Sequence, residues 1–190
     1  IYNGVDIQLF HPTENSKRKE LGITEKFVIL GMANKWLAQE NEETFKQYLK
    51  KKKENWVLVL LGCQDAQTIS KGVIGLPYVQ DRKELAGLYS MVDVFVNITK
   101  VDSLPTVNIE ALACGTPVVT YASGGSAETV SKDVGITVPY GDTETLITSI
   151  EEIENLGKAF YSDKCVQRAR KNHDIRCCYN AYLELYQSLC

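Results

Sequence analysis

The chain is short of the residues that most catalytic chemistry relies on. Its two histidines, His11 and His173, stand near opposite ends of 190 residues, so a histidine-based triad or a zinc cluster has no raw material. There is no GxGxxG after the first strand-like run, no P-loop, no HExxH and no GxSxG, which excludes the commoner phosphate cradles and hydrolase motifs. No apolar run approaches the roughly 18 residues of a membrane span. A formal charge of -3 gives no whole-molecule attraction for nucleic acid, so nucleic acid is not expected as a partner and any anion site must be local. The six cysteines (Cys63, Cys114, Cys165, Cys177, Cys178, Cys190) form neither CxxC pairs nor a compact framework, and Cys177 and Cys178 are adjacent. Reduced thiols are the expectation. No signal peptide is evident, and the opening at Ile1 reads as mid-protein, so a fragment is expected.

What is present describes a globular domain, with 44% hydrophobic and 24% charged residues and only 5 prolines. Phe27 to Gly31 and Trp56 to Gly62 are continuous apolar runs ending in glycine, the pattern of strands buried on both faces. Between them Phe45, Tyr48 and Leu49 recur at helical spacing. Further strands are expected at Val73 to Leu76, Val92 to Ile98, Pro117 to Tyr121 and Gly135 to Val138. Helices are expected from Asp81, within 102–114, and after Ser126, Asp142 and Ser162. This alternation predicts an α/β fold, a three-layer doubly wound parallel sheet whose ligands bind outside the carboxyl ends of the strands. The tail, 174–190, has Ile175, Tyr179, Tyr182, Leu183 and Tyr186 at helical spacing, an amphipathic helix with one sticky face for this domain or for something absent, core packing being a simpler use of its tyrosines than a partner face.

The most informative stretch runs Asp102-Ser103-Leu104-Pro105-Thr106-Val107-Asn108-Ile109-Glu110-Ala111-Leu112-Ala113-Cys114-Gly115-Thr116-Pro117-Val118-Val119, followed by Gly124-Gly125-Ser126-Ala127-Glu128. Glu110 is the only charge between Leu104 and Cys114, so the helix should be largely buried and its carboxylate should need a partner. The preceding turn offers backbone N–H groups at Ser103, Leu104 and Thr106 beside Asp102. Pro105, read as first-turn, forgoes a donor that the helix cannot use. Such a helix start can hold a phosphate or a sugar hydroxyl. Gly124-Gly125, between strand and helix, permits close backbone approach. Taken alone, Glu110 reads as a structural ion-pair member and Lys35 as a surface lysine, Gly124-Gly125 could equally be an ordinary turn, and Glu128 could simply complement a helix dipole. Lys50 to Lys53 reads as a solvated helix end and Cys114 as packing.

An acidic residue and a glutamate eight positions on, leading into Ala-Cys-Gly-Thr-Pro-Val-Val and Gly-Gly-x-x-Glu, resembles the donor-site signature of retaining GT-B glycosyltransferases of the group 1 type. Ile1 to Asp6 with Phe10 and Pro12 resembles the linker that opens their second domain, and Gly135 to Pro139 with Gly141-Asp142 resembles a later family motif. The resemblance implies one carboxyl-terminal, Rossmann-like donor-binding domain over 1–190, with 1–15 as linker and 174–190 as terminal helix. It implies Glu110 on the ribose hydroxyls, Asp102 near the transferred sugar as the catalytic position, and Ser103, Leu104, Pro105, Thr106, Gly124 and Gly125 around the diphosphate and sugar. It implies Tyr78 and Val79 beside the base, held through backbone groups.

Two positions depart from the family pattern. Asp102 is one methylene shorter than the usual glutamate, and Gln39 and Glu40 stand where relatives carry an arginine and a lysine, leaving Lys35 as the nearby cation. The implied activity is transfer of a sugar from a nucleotide-diphosphate sugar to a glycan or lipid-linked acceptor with retention, in bacterial surface or capsular polysaccharide synthesis. No cofactor and no metal are implied. The acceptor would sit on an amino-terminal domain outside this chain, so the isolated chain should bind without turnover. A cytoplasmic location is implied, at the inner membrane face where the acceptor is lipid-linked, with peripheral membrane association of the full-length protein. The absent cations keep open a second expectation, a non-catalytic nucleotide-binding or scaffold domain. A GT-B epimerase, a third, lacks a supporting acid-base cluster.

Overall fold

The computed structural model describes residues 1–65 and 67–189, so Cys190, read above as a reduced thiol and the end of the tail helix, lies outside the described residues. Seven strands form one sheet: β1 (Phe27–Met32), β2 (Trp56–Cys63), β3 (Gln67–Ser70), β4 (Val73–Pro77), β5 (Val94–Asn97), β6 (Val118–Tyr121) and β7 (Gly135–Val138). Their order is β3-β4-β2-β1-β5-β6-β7. Every pairing from β4 to β7 is parallel, as expected of a doubly wound α/β fold. The exception is the edge strand β3, antiparallel to β4, which hydropathy did not reveal. Its four residues Gln-Thr-Ile-Ser are exposed or half-buried, so it lacks the apolar run that marks the inner strands.

Nine helices flank the sheet among the described residues: α1 (Lys17–Glu20), α2 (Ala33–Trp36), α3 (Glu42–Lys51), α4 (Arg82–Met91), α5 (Thr106–Ala113), α6 (Ser126–Thr129), α7 (Thr143–Leu156), α8 (Lys158–His173) and α9 (Ile175–Ser188). α3 packs on α7, whereas α4, α5 and α8 pack successively on one another, giving a layer of helices on each side of the sheet. Val28 to Leu30, Leu58 to Leu60 and Val94 to Val96 are fully buried between the layers. Each such side chain contributes about 1.5–3 kcal/mol by leaving water. Asp81, Asp142 and Asp174 cap α4, α7 and α9 by accepting from the backbone N–H of Lys83, Thr145 and Arg176.

Three expectations change. α8 starts at Lys158 rather than after Ser162, because Gly157 at φ 76° breaks α7 directly into it. After Gly31 the chain forms α2, which buries Trp36, whose indole N–H donates to the Val96 carbonyl at 3.3 Å, and a 3-10 turn follows at Gln39–Asn41. Lys53 does not merely solvate a helix end, since its amine lies 2.7 Å from Glu154 and 3.7 Å from Glu151 of α7. Finally, α9 has no buried residue, and Tyr179, Tyr182 and Tyr186 are exposed rather than in a core. Residues 1–15 lie against the domain. Val5 and Phe10 are buried, Val5 bridges Asp174 in parallel, and the Asn3 amide donates to the Leu104 carbonyl at 3.1 Å. Cys63, Cys114, Cys165, Cys177 and Cys178 are free.

Candidate functional site

The strand order reverses direction between β1 and β5, and the C-terminal ends of strands at such a switch point diverge into a crevice. A cleft of about 650 Å³ opens there. Met32 from the end of β1, Leu61 and Gly62 of β2, Tyr78 and Val79 after β4, and Asn97 ending β5 form its floor and one side. α5 closes the other side with Thr106, Val107 and Glu110, beside Asp102. Of the residues singled out in the sequence, Asp102, Thr106, Glu110, Lys35, Tyr78 and Val79 converge on this cleft, whereas Ser103, Leu104, Pro105, Gly124 and Gly125 do not line it.

Glu110 is where apolar patterning and chemistry meet. α5 buries Asn108, Ile109, Ala111, Leu112 and Ala113, leaving Glu110 half-buried on the cleft wall. The Tyr89 hydroxyl donates to Glu110 Oε2 at 3.2 Å, the one hydrogen bond to this carboxylate among the described residues. Burial raises the Glu110 pKa, while the Tyr89 hydrogen bond and the charge of Arg82 oppose the rise. A carboxylate with one oxygen engaged and the other facing a cleft can accept hydrogen bonds from ligand hydroxyls.

Asp102 is held by its own loop: its Oδ1 accepts from the Leu104 N–H at 3.1 Å, and its carbonyl accepts from the Gly125 N–H at 2.9 Å. The Leu104 N–H is therefore not free, contrary to the sequence reading. Pro105 occupies the N-cap rather than the first turn and provides no side-chain cap, so the Thr106 end of α5 opens toward the cleft. Gly124 and Gly125 are explained by the chain itself. A Cβ on Gly124 would overlap the Asp102 carbonyl, one on Gly125 the Ser103 carbonyl, and Gly124 has φ 53°. The glycines let two backbone segments touch, and α6, which they open, is only four residues long.

In the first loop Asn34 and Lys35 line the cleft but Gln39 and Glu40 do not. The Asn41 amide fixes this loop by donating to the Lys35 and Ile98 carbonyls, each at 3.0 Å. Sequence reasoning overlooked Arg82, Tyr89 and Asn97. Arg82, in the first turn of α4, lines the cleft with its guanidinium 5.3 Å from the Phe10 ring centre. A polar residue ending the apolar run Val94 to Val96 was the available signal for Asn97. Among the described residues no group of three or more His, Cys, Asp or Glu side chains is placed to hold a metal ion, and no helix is long and apolar enough to cross a membrane.

The family model described as glycosyl transferases group 1 matches residues 13–172. No significant match to a curated protein is found. Among solved structures, Anabaena Alr3699/HepE in complex with UDP superimposes with a TM-score of 0.84 at 23% identity, over 99% of this chain and 57% of that one. Sucrose-phosphate synthase from Thermosynechococcus elongatus gives 0.80 at 23%, over 98% and 51%. The C-terminal domain of the Francisella tularensis glycosyl transferase group 1 family protein LpcC gives 0.71 at 20%, over 90% of this chain and 100% of that domain. The likenesses establish a shared fold, and the chain spans 57% and 51% of the first two proteins.

Proposed function

The chain belongs to the glycosyl transferases group 1 family, and on that premise we propose that it is the carboxyl-terminal, donor-binding domain of a retaining glycosyltransferase using a nucleotide-diphosphate sugar. The observation that carries this reading is Glu110, a half-buried carboxylate on the wall of the switch-point cleft with one phenolic partner and the open start of α5 one turn away. In this reading Glu110 accepts from the ribose hydroxyls, and the base rests beside Tyr78 and Val79. The diphosphate lies against the first turn of α5, with Lys35 as its cation. Asp102 positions the transferred sugar, and the first-turn N–H groups stabilise charge developing on the leaving diphosphate. The HepE neighbour has been solved with UDP-glucose, which makes a uridine nucleotide the first ligand to try here. The acceptor, a glycan or lipid-linked sugar of a bacterial surface polysaccharide, belongs to the part of such an enzyme beyond this chain.

The test is transfer by the full-length protein carrying this chain. Incubation with UDP-glucose, GDP-mannose and related donors should release nucleotide, and NMR of the product should show the donor's anomeric configuration retained. An inverted product would overturn the retaining assignment, and no release from any donor would favour the second reading, a non-catalytic nucleotide-binding or scaffold domain. That alternative has specific support: Lys35 is the single first-loop cation lining the cleft, with Gln39 and Glu40 outside it.

A further inference from the structure

α5 must present Glu110 to the cleft, yet its burial does not dictate which way it turns. Asn108, Ile109, Ala111, Leu112 and Ala113 are all buried, so apolar residues surround most of the helix and hydrophobic contact alone leaves its rotation weakly specified. A buried polar chain supplies what the apolar surface lacks. Asn97, at the cleft end of β5, accepts the Thr99 N–H at its Oδ1 (3.2 Å) and donates from Nδ2 to Asn108 Oδ1 (2.9 Å). Asn108 Nδ2 donates to Thr129 Oγ1 at 2.9 Å, and that hydroxyl donates to the Ser126 carbonyl at 2.6 Å. Asn108, Ser126 and Thr129 are fully buried and Asn97 nearly so, and each amide group named has a partner.

We infer that the Asn97–Asn108–Thr129 relay is a positioning device for the donor site: it fixes the rotation of α5 and thereby aims Glu110 into the cleft. Residues two apart on a helix point about 200° from each other. Fixing Asn108 against β5 and α6 therefore directs Glu110 to the opposite flank, where Tyr89 of α4 and the cleft meet it. A turn of one residue, about 100°, would remove Glu110 from both. The relay also reaches the turn whose Gly125 N–H holds the Asp102 carbonyl, so one set of hydrogen bonds ties together the surroundings of both acidic residues. Buried polar groups that choose one register among apolar alternatives are the best-attested use of such groups. Asn97, Asn108 and Thr129 act here through Glu110 as positioning residues. The inference rests on the donor-site reading above, and its test separates the two.

The test is Asn108→Leu, which removes the relay while keeping the branched shape and the number of side-chain heavy atoms. It is made in this chain, alone and together with Glu110→Gln, and titrated calorimetrically with UDP, GDP and ADP. The expected result is a native far-ultraviolet dichroism spectrum, at least a tenfold loss of affinity for whichever nucleotide binds the parent, and a double variant no weaker than Glu110→Gln alone. Unchanged affinity in Asn108→Leu, or additive losses in the double variant, would overturn the inference. If Asn108→Leu does not fold, Thr129→Val cuts the far end of the relay and is judged by the same two criteria. If the parent binds none of the three nucleotides, a donor site complete within this chain is contradicted. The relay is then judged by carbon-13 titration of the Glu110 carboxyl: movement toward the ordinary glutamate pKa in Asn108→Leu upholds it and an unchanged titration overturns it.

Discussion

Replacing Tyr89 by phenylalanine isolates the electrostatics of Glu110. The phenol donates to Glu110 Oε2 at 3.2 Å, and burial holds the carboxyl pKa above its ordinary value against that donor and the charge of Arg82. At a pH below the ordinary value near 4.5 the carboxyl is protonated in both folded and unfolded chains. As pH rises past that point the unfolded chain ionises first, the folded chain holds more protons, and Glu110 subtracts stability until pH passes its raised folded pKa. Deleting the donor raises the folded pKa further and deepens the loss. Hydrogen bonds to charged groups are worth about 1.5–3 kcal/mol and neutral ones about 0.5–1.5 kcal/mol. Tyr89→Phe should therefore cost about 1.5–3 kcal/mol at pH 7 and distinctly less at pH 4. Urea unfolding of both proteins at the two pH values measures the difference, and Glu110→Gln should abolish its pH dependence. An equal cost at both pH values, or a pH dependence that survives Glu110→Gln, would refute the reasoning.

Gly125→Ala should cost about 1–3 kcal/mol in urea unfolding, the usual range for overpacking, because its Cβ meets the Ser103 carbonyl. The same change should weaken nucleotide binding by moving the Asp102 loop. Lys35→Met should weaken a nucleoside diphosphate about tenfold, roughly one charge-assisted contact, while leaving nucleoside affinity unchanged in calorimetry. Equal losses for both ligands would remove Lys35 from the phosphate subsite. Lys158 donates to the Ser90 and Val92 carbonyls at 2.7 and 2.8 Å, and burial lowers its pKa to about 8. Lys158→Met should destabilise by orphaning those carbonyls. Between pH 8 and the unfolded lysine value the unfolded parent binds more protons than the folded one, so the parent gains stability as pH rises. Its margin over Lys158→Met should widen there by up to about 3 kcal/mol, and a constant margin in urea unfolding across that range would contradict the assignment.

The inner strands were legible because Phe27 to Gly31 and Trp56 to Gly62 are apolar without interruption, and only a strand covered on both faces tolerates that. Glu110 was legible for the complementary reason, a lone charge in an apolar helix. β3 was not, because a short edge strand paired on one side needs no apolar signal. Arg82 went unseen because a charged residue in an amphipathic helix looks like any solvated one until the cleft beside it is known. The Gly124-Gly125 turn was read through a ligand's approach, whereas its immediate neighbour is the chain's own 102–103 backbone. The tyrosines of α9 illustrate a further limit: helical spacing identifies a face but not what covers it.

The central claim, a nucleotide-sugar donor site built around Glu110, is tested most directly by calorimetric titration of this chain with UDP, GDP and ADP, repeated with Glu110→Ala. The account predicts that one nucleotide binds in preference to the others and that Glu110→Ala abolishes its binding. Binding that survives Glu110→Ala would contradict the assignment of the ribose site, and no binding of any of the three would contradict a donor site complete within this chain.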